Sequence, residues 1–393
     1  MNVLKLLLST DPLAVDDPLW FIERLWSLAV NNTVWLVIGT LTLVCSISEV
    51  CGVLGYMAYK PNFQTAINFA PMFFTSYHTT LCLTPILLQR NAFQTARKYA
   101  NEKFWKISTA SSEALREISV DIIIAKVAWV TNFILNSCSP FFYIPYNGVD
   151  FDNTLHPMIA ILPQLRLPLT VNYMIVFFNH ILVFWKVYYI VLYMLNLTYL
   201  VVQYKLQVTI LKWKIVNITE GLGKNVELGS MRDDANCQRE IHERLKVYVQ
   251  HYWYLKVYGQ MVTESLKISL LFHVFSGIAL MTSLLYLSLL RDESADTAAF
   301  ILELVSALYI AFFYVFWAEA FCDQTNVLYD AISLSHWNCF DRSNSVTILI
   351  LYDNLKRKLF LTGGGIFIMS FRLLVWIVEK VVNLLSVLKL LES

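Results

Sequence analysis

Apolar residues along this chain gather into seven long stretches, at roughly 34–58, 68–88, 122–145, 171–203, 263–290, 298–321 and 364–390. Each is close to or above the about 20 residues that a helix needs to cross the hydrocarbon core of a bilayer. The fourth is broken only by His180 and Lys186, and the fifth and sixth read as the cleanest. Between the fourth and fifth stretches the pattern changes character. From Ile241, apolar residues recur at Leu245, Tyr248, Tyr252, Leu255 and Tyr258, the spacing of an amphipathic helix. The fourth stretch likewise runs on through Leu206, Ile210, Trp213 and Val216. The pattern therefore predicts that spans 4 and 5 project below the membrane as paired helices, separated by a polar turn near 221–238. Such helices need a cover for their apolar stripe, either segment 344–358 of the same chain or another subunit.

Basic residues alternate between the loops. Loop 2 carries six (Arg90, Arg97, Lys98, Lys103, Lys106, Arg116), loop 4 carries nine between Lys205 and Lys256, and loop 6 carries four (Arg342, Lys356, Arg357, Lys358). The intervening loops hold one each, Lys60, Arg166 and Arg291. The positive-inside rule puts loops 2, 4 and 6 in the cytoplasm, and parity then places the N-terminus inside and the C-terminus outside. The sequons at Asn31, Asn196 and Asn217 all fall in the expected cytoplasm or within a span, where no glycan is added. Residues 1–33 carry Asp11, Asp16, Asp17 and Glu23 without the basic start and small-residue site of a cleavable signal. Trp20, Phe21 and Trp26 mark this segment as an interface-lying lead-in.

Composition agrees with lipid as the solvent for much of the surface: 57% of the 393 residues are hydrophobic and 15% charged, against about 45–50% and about 25% in soluble domains. A net charge of +1 gives no reason to expect a nucleic-acid partner. The seven cysteines (Cys45, Cys51, Cys82, Cys138, Cys237, Cys322, Cys339) form no zinc-site spacing in sequence and read as packed thiols. No metal, cofactor or catalytic constellation is expected: HExxH, GxSxG and the phosphate-binding loop are all missing. The run Gly363-Gly364-Gly365 lacks the Lys-Ser/Thr that a phosphate cradle needs and reads as a bend or close approach before the last span.

Two features point to function. The last span holds Arg372, Glu379 and Lys380, and a charge at mid-membrane costs about 2.5–3.5 kcal/mol on insertion scales. Lys380, Asn383, Val387 and Leu391 share a helical face that runs from polar to apolar. That face is either a pore lining with an apolar gate or the outcome of a local Glu379–Lys380 pair. The outer halves of spans 2, 3 and 4 carry Phe73, Phe74, Tyr77, Phe133, Phe141, Phe142, Tyr173, Phe177 and Phe178, with Asn136 and His180 as polar contacts. They form either an interhelical ligand pocket or ordinary packing and lipid contact.

Three passages carry a resemblance to a known family. LKVYVQHYWYLKVYGQMVTESLKISL, Leu245 to Leu270, resembles the helix entering span 5 of insect odorant receptors, with His251 at the usual histidine. CDQTNVLYDAISLSHW, Cys322 to Trp337, resembles the end of span 6 with its "AIY…W" signature, here Ala331-Ile332…Trp337. LTGGGIFIMSFRLLVWIV, Leu361 to Val378, resembles the "LTAGxF…LS" approach to span 7. The chain departs from that family at Val381-Val382-Asn383-Leu384-Leu385, where a Ser-Tyr-Ser-Tyr-Phe-like run is expected, and at Glu379-Lys380, which replace small or polar residues.

The resemblance implies an all-α membrane protein with seven spans, acting as an odorant-gated, non-selective cation channel subunit in the plasma membrane of a sensory dendrite. It implies a small volatile ligand held by Phe73, Tyr77, Phe133, Asn136, Phe141, Tyr173, Phe177 and His180. It also implies a heterotetramer with the family's co-receptor, embedded in lipid, with a pore and gate at Lys380, Asn383, Leu384, Val387 and Leu391. The compact loop 4 fits a ligand-specific subunit, since the co-receptor is longer there. The organisation that follows is an N-terminal segment 1–33, spans 1–4 with the pocket over 34–203, cytoplasmic helices over 204–262, spans 5–6 over 263–321, a cytoplasmic loop and helix over 322–363, and the pore span over 364–393. The alternatives are a gustatory receptor of the same superfamily, whose TYxxxxxQF motif is missing here, and a G-protein-coupled receptor. The latter has the opposite orientation, and the DRY and NPxxY motifs are missing. A transporter would show an internal repeat, and spans 1–3 do not resemble 4–6.

Overall fold

The computed structural model describes residues 19–59, 61–138, 168–222, 231–290 and 294–392, without the side chains at 20, 21, 63, 64, 290, 294–299, 391 and 392. Among the described residues are ten α-helices: α1 (Trp20–Asn31), α2 (Thr33–Tyr59), α3 (Phe63–Leu88), α4 (Arg90–Lys103), α5 (Ser112–Cys138), α6 (Leu169–Val216), α7 (Ala235–Leu290), α8 (Ser294–Leu334), α9 (Arg342–Leu355) and α10 (Phe371–Glu392). A two-stranded hairpin, β1 (Thr362–Gly363) and β2 (Phe367–Ile368), precedes α10.

Five helices, α2, α5, α6, α7 and α8, are long and apolar enough to cross a membrane. Helices α3 and α10, of 26 and 22 residues, are long enough at about 1.5 Å per residue but more polar. Helix α3 contains Pro71 and Pro85 among serines and threonines. Thr79, Thr80 and Thr84 donate to backbone carbonyls one turn back, keeping those hydroxyls satisfied within the helix. Helix α10 carries Arg372, Glu379, Lys380 and Lys389.

Helices α6 and α7 are continuous. Helix α6 has 48 residues and α7 has 56, which at about 1.5 Å each is more than twice the roughly 30 Å of hydrocarbon. Helix α6 runs through the centre, and residues 189–202 are buried without interruption, enclosed chiefly by α8, α5, α3 and α7. That explains why its sequence is apolar on every face rather than striped.

Beyond the apolar windows, α6, α7 and α9 are joined by polar groups. Gln238 Nε2 donates to the carbonyls of Met231 and Cys339, while its Oε1 accepts from Asp341 N and Asn344 Nδ2. Asp341 caps α9 by accepting from Asn344 N. Arg244 donates to the carbonyls of Ile218 and Glu220 just past α6. Helix α9 packs on α7, so segment 344–358 supplies part of the cover that the apolar stripe requires.

His251 of α7 stacks on Trp105, with ring centroids 3.6 Å apart and planes 7° apart. Both ring nitrogens are buried without a hydrogen-bond partner among the described residues. Burial, and then Lys214, push its pKa down to about 3, so the fold holds the neutral ring. That stabilisation is complete above the ordinary histidine pKa of about 6.5 and is lost as pH falls toward 3. Between pH 7.5 and pH 5 the loss is expected to reach about 2 kcal/mol. Melting curves of the purified protein over that range check this: His251→Phe is expected to flatten the slope, and equal slopes would refute the assignment.

Three local outcomes differ from the sequence reading or sharpen it. Trp26 is buried within the chain, edge-on to Phe93 at 5.5 Å and beneath the Arg97 guanidinium. The last helix begins at Phe371 rather than 364, because the three glycines form the hairpin instead of a helical bend. Gly364 sits at φ 64° and Gly365 at φ 77°. Gly364 N donates to Lys267 O at 2.7 Å, and a Cβ on Gly363 would stand 3.2 Å from Leu271 Cα. Backbone lies against backbone there, which only glycine permits. Finally, the charge in span 4 has a partner in span 1. The Lys186 ammonium, 1% exposed, pairs with the Glu49 carboxylate, which also accepts from Ser76 Oγ. The same ammonium contacts Ser76 Oγ at 3.0 Å. These three residues tie α2, α3 and α6 together in the bundle interior.

Candidate functional site

Six helices and the chain just before the last of them line a cavity of ≈ 100 Å³. Its apolar wall comes from Met72 on α3, Val183, Val187 and Ile190 on α6, Val274 and Met281 on α7, Ile310 on α8 and Ile377 on α10, with Met369 just before α10. An apolar protein cavity of about 150 Å³ binds benzene. Three unbranched methionines in the wall can change rotamer to admit a somewhat larger molecule.

The polar lining comes from four helices. Thr75, His78, Asn136, His273, Glu303, Ser306 and Tyr314 all line the cavity. Thr75 Oγ1 donates to Glu303 Oε1 at 3.1 Å, and Asn136 Nδ2 donates to Asn132 Oδ1 at 2.6 Å. The hydroxyls of Ser306 and Tyr314 are buried with no hydrogen-bond partner among the described residues. A buried polar group without a partner is costly, so these two are free to bind a ligand hydroxyl, ether or carbonyl. Apolar walls with a few convergent polar atoms are the usual architecture of a small-molecule site.

The residues singled out in the sequence are dispersed around this cavity. Asn136 lines it. Phe73 and Tyr77 stack on one another along α3, half-buried and outside the lining. Phe133, stacked on Trp129, is 47% exposed, Tyr173 49% and Phe177 67%, so these rings face outward from the single chain. His180 Nδ1 contacts the Val176 carbonyl at 2.7 Å within its own helix. Phe141 and Phe142 lie outside the described residues. On α10, Leu373, Ile377 and Val381 are buried, whereas Asn383, Leu384 and Val387 are exposed and Lys380 is half-exposed. Lys380 Nζ lies 3.9 Å from Glu379 and 5.5 Å from the Trp376 ring centroid. The Leu391 side chain lies outside the described set.

Sequence reasoning passed over Glu303, Ser306 and Tyr314 on α8 and His273 on α7. Their signal was present. Glu303 is one of two carboxylates, with Glu319 near the far end, in the otherwise apolar stretch 298–321, and an ionisable residue inside a span usually marks a functional interior. From Glu303 the helical steps to Ser306 and Ala307, to Ile310 and to Tyr314 then trace one face.

Residues 62–381 match the family model described as 7tm Odorant receptor. The chain belongs to the insect odorant receptor family. Its fold agrees: the solved olfactory receptor OR5 of Machilis hrabei is similar with a TM-score of 0.65 at 14% identity, covering 90% of this chain and 86% of that one. The OR5 structure in complex with eugenol is similar with a TM-score of 0.63 at 12% identity, covering 91% and 87%. A search of curated proteins gives no match. Family and apolar helices together fit a multi-pass membrane receptor.

Proposed function

We propose that this odorant receptor is the ligand-specific subunit of a heteromeric, odorant-gated cation channel in the plasma membrane. It assembles with the family's co-receptor as a heterotetramer, crosses the membrane seven times and has its N-terminus inside. The observation that carries the ligand reading is the interhelical cavity, lined by apolar side chains, a few polar groups and Ile377 of the last helix. A volatile molecule seated there touches α3, α6, α7, α8 and α10 at once. Its binding therefore bears directly on the helix proposed to line the pore. The complex of OR5 with eugenol supports a small, mostly apolar ligand with a hydrogen-bonding group. Asn136 is proposed to meet that group, and the outward Phe133, Tyr173 and Phe177 to meet lipid or neighbouring subunits.

The test is co-expression with the co-receptor and a screen of volatiles read as inward current, together with the receptor expressed alone. Currents that need both subunits support the proposal. A response mediated by a G protein, or an N-terminal tag accessible on intact cells, overturns it.

The pore face is proposed to comprise Lys380, Asn383, Leu384, Val387 and Leu391. Four lysines around one axis would repel cations, so this chain alone is expected to give little current. In the mixed channel fewer charges face the path, and the aqueous vestibule screens them. Lys380→Gln is expected to raise single-channel conductance or shift the reversal potential toward greater cation permeability. Unchanged values would place Lys380 off the ion path, as a partner of Glu379 and Trp376.

A further inference from the structure

We propose that His78, Cys82 and His273 form a binding site for a monovalent copper ion on the wall of the cavity. His78 and Cys82 are four residues apart on α3 and so share one face. His273 faces them from α7, almost two hundred positions later in the chain, which is why no metal spacing shows in the sequence. A ring nitrogen of each histidine and Cys82 Sγ lie within 4.8 Å of one another. The two Nδ1 atoms are 3.3 Å apart. Two nitrogen ligands about 2.0–2.1 Å from one ion, at trigonal to tetrahedral angles, stand about 3.3–3.6 Å apart.

The surroundings hold this geometry. Tyr193 and Tyr314 each pack on the His273 ring, with centroids 5.3 Å away. Ser276 Oγ lies 3.2 Å from His78 Nδ1.

Imidazole with thiolate selects soft or borderline ions, chiefly copper(I) and zinc. Burial decides between them. On binding, the Cys82 S–H bond breaks, an S–Cu bond forms and the proton leaves to solvent. A single positive charge on the metal then offsets the thiolate, giving a neutral centre. Zinc would leave a net positive charge inside the bundle, where uncompensated charge is strongly disfavoured. The site is independent of the ligand reading above, because its test needs neither agonist nor current.

Full-length receptor purified in detergent is loaded with cuprous ion under anaerobic conditions, desalted and analysed for metal by mass spectrometry. Wild type is expected to keep about one copper per chain. Cys82→Ser and His273→Gln are expected to keep about tenfold less, while Cys45→Ser and Cys51→Ser, at other thiols, match wild type. X-ray absorption of the wild-type copper form is expected to show one sulfur and imidazole nitrogens around the metal, a reading that does not depend on how well any variant folds. The proposal is overturned by wild type that keeps no copper, by a copper shell without sulfur, or by equal retention in Cys82→Ser and wild type.

Discussion

Lys186→Met is expected to remove most folded receptor from the membrane. The substitution leaves the Glu49 carboxylate buried at 5% exposure with Ser76 Oγ as its one remaining partner among the described residues. Breaking a buried ion pair from one side costs about 3–5 kcal/mol, most of it the penalty of the stranded charge. A typical domain has only about 5–15 kcal/mol of stability in total. The cost falls where three helices meet, so it loosens the junction of α2, α3 and α6 and not one side chain alone. Replacing both partners is a different matter. Glu49→Gln with Lys186→Met removes both charges and keeps an acceptor for Ser76. It is expected to recover all but about 1–2 kcal/mol. Surface abundance and the thermal stability of purified protein report both variants. If the single variant behaves like wild type, the pair carries no structural weight. If the double variant is as damaged as the single one, charge burial is not the cause.

Gly277→Leu is expected to weaken the ligand response sharply while leaving the receptor folded and at the surface. Gly277 lines the cavity on α7, and a Cβ built there meets nothing within 4 Å. A leucine side chain would fill much of a ≈ 100 Å³ space without displacing backbone. The expected shift in the dose–response is about tenfold or more for every agonist, since at least one buried apolar contact, worth about 1–3 kcal/mol, is lost. Gly277→Ala is the control. It adds one methyl group and removes a glycine from a helix interior, where alanine is favoured by about 0.5–1 kcal/mol. Its abundance is expected to equal or exceed wild type, with little change in sensitivity. An unmoved dose–response for Gly277→Leu would place the ligand elsewhere in the bundle.

Hydrophobic periodicity was enough to locate the helices, because a helix that meets lipid or a packed core must be apolar over its whole length or along a fixed face. The long continuous α6 and α7 and the amphipathic run from Ile241 to Tyr258 were legible for that reason. So was the family, through three short passages whose spacing reflects those same elements. The local glycine run was legible as a close approach, since only an absent side chain allows backbone to touch backbone.

The tertiary structure decided what periodicity cannot express: which face of an all-apolar helix looks inward. Phe133, Tyr173 and Phe177 differ in no local respect from core aromatics, yet they point away from the bundle. The lining came instead from Glu303, Ser306, Tyr314 and His273. Lys186 and Glu49 stand 137 positions apart, and His78 and His273 195 positions apart. In hydrocarbon or a dry core a polar group must find its partner within the protein. That partner is chosen by how the helices pack in three dimensions, information that no local window of sequence contains.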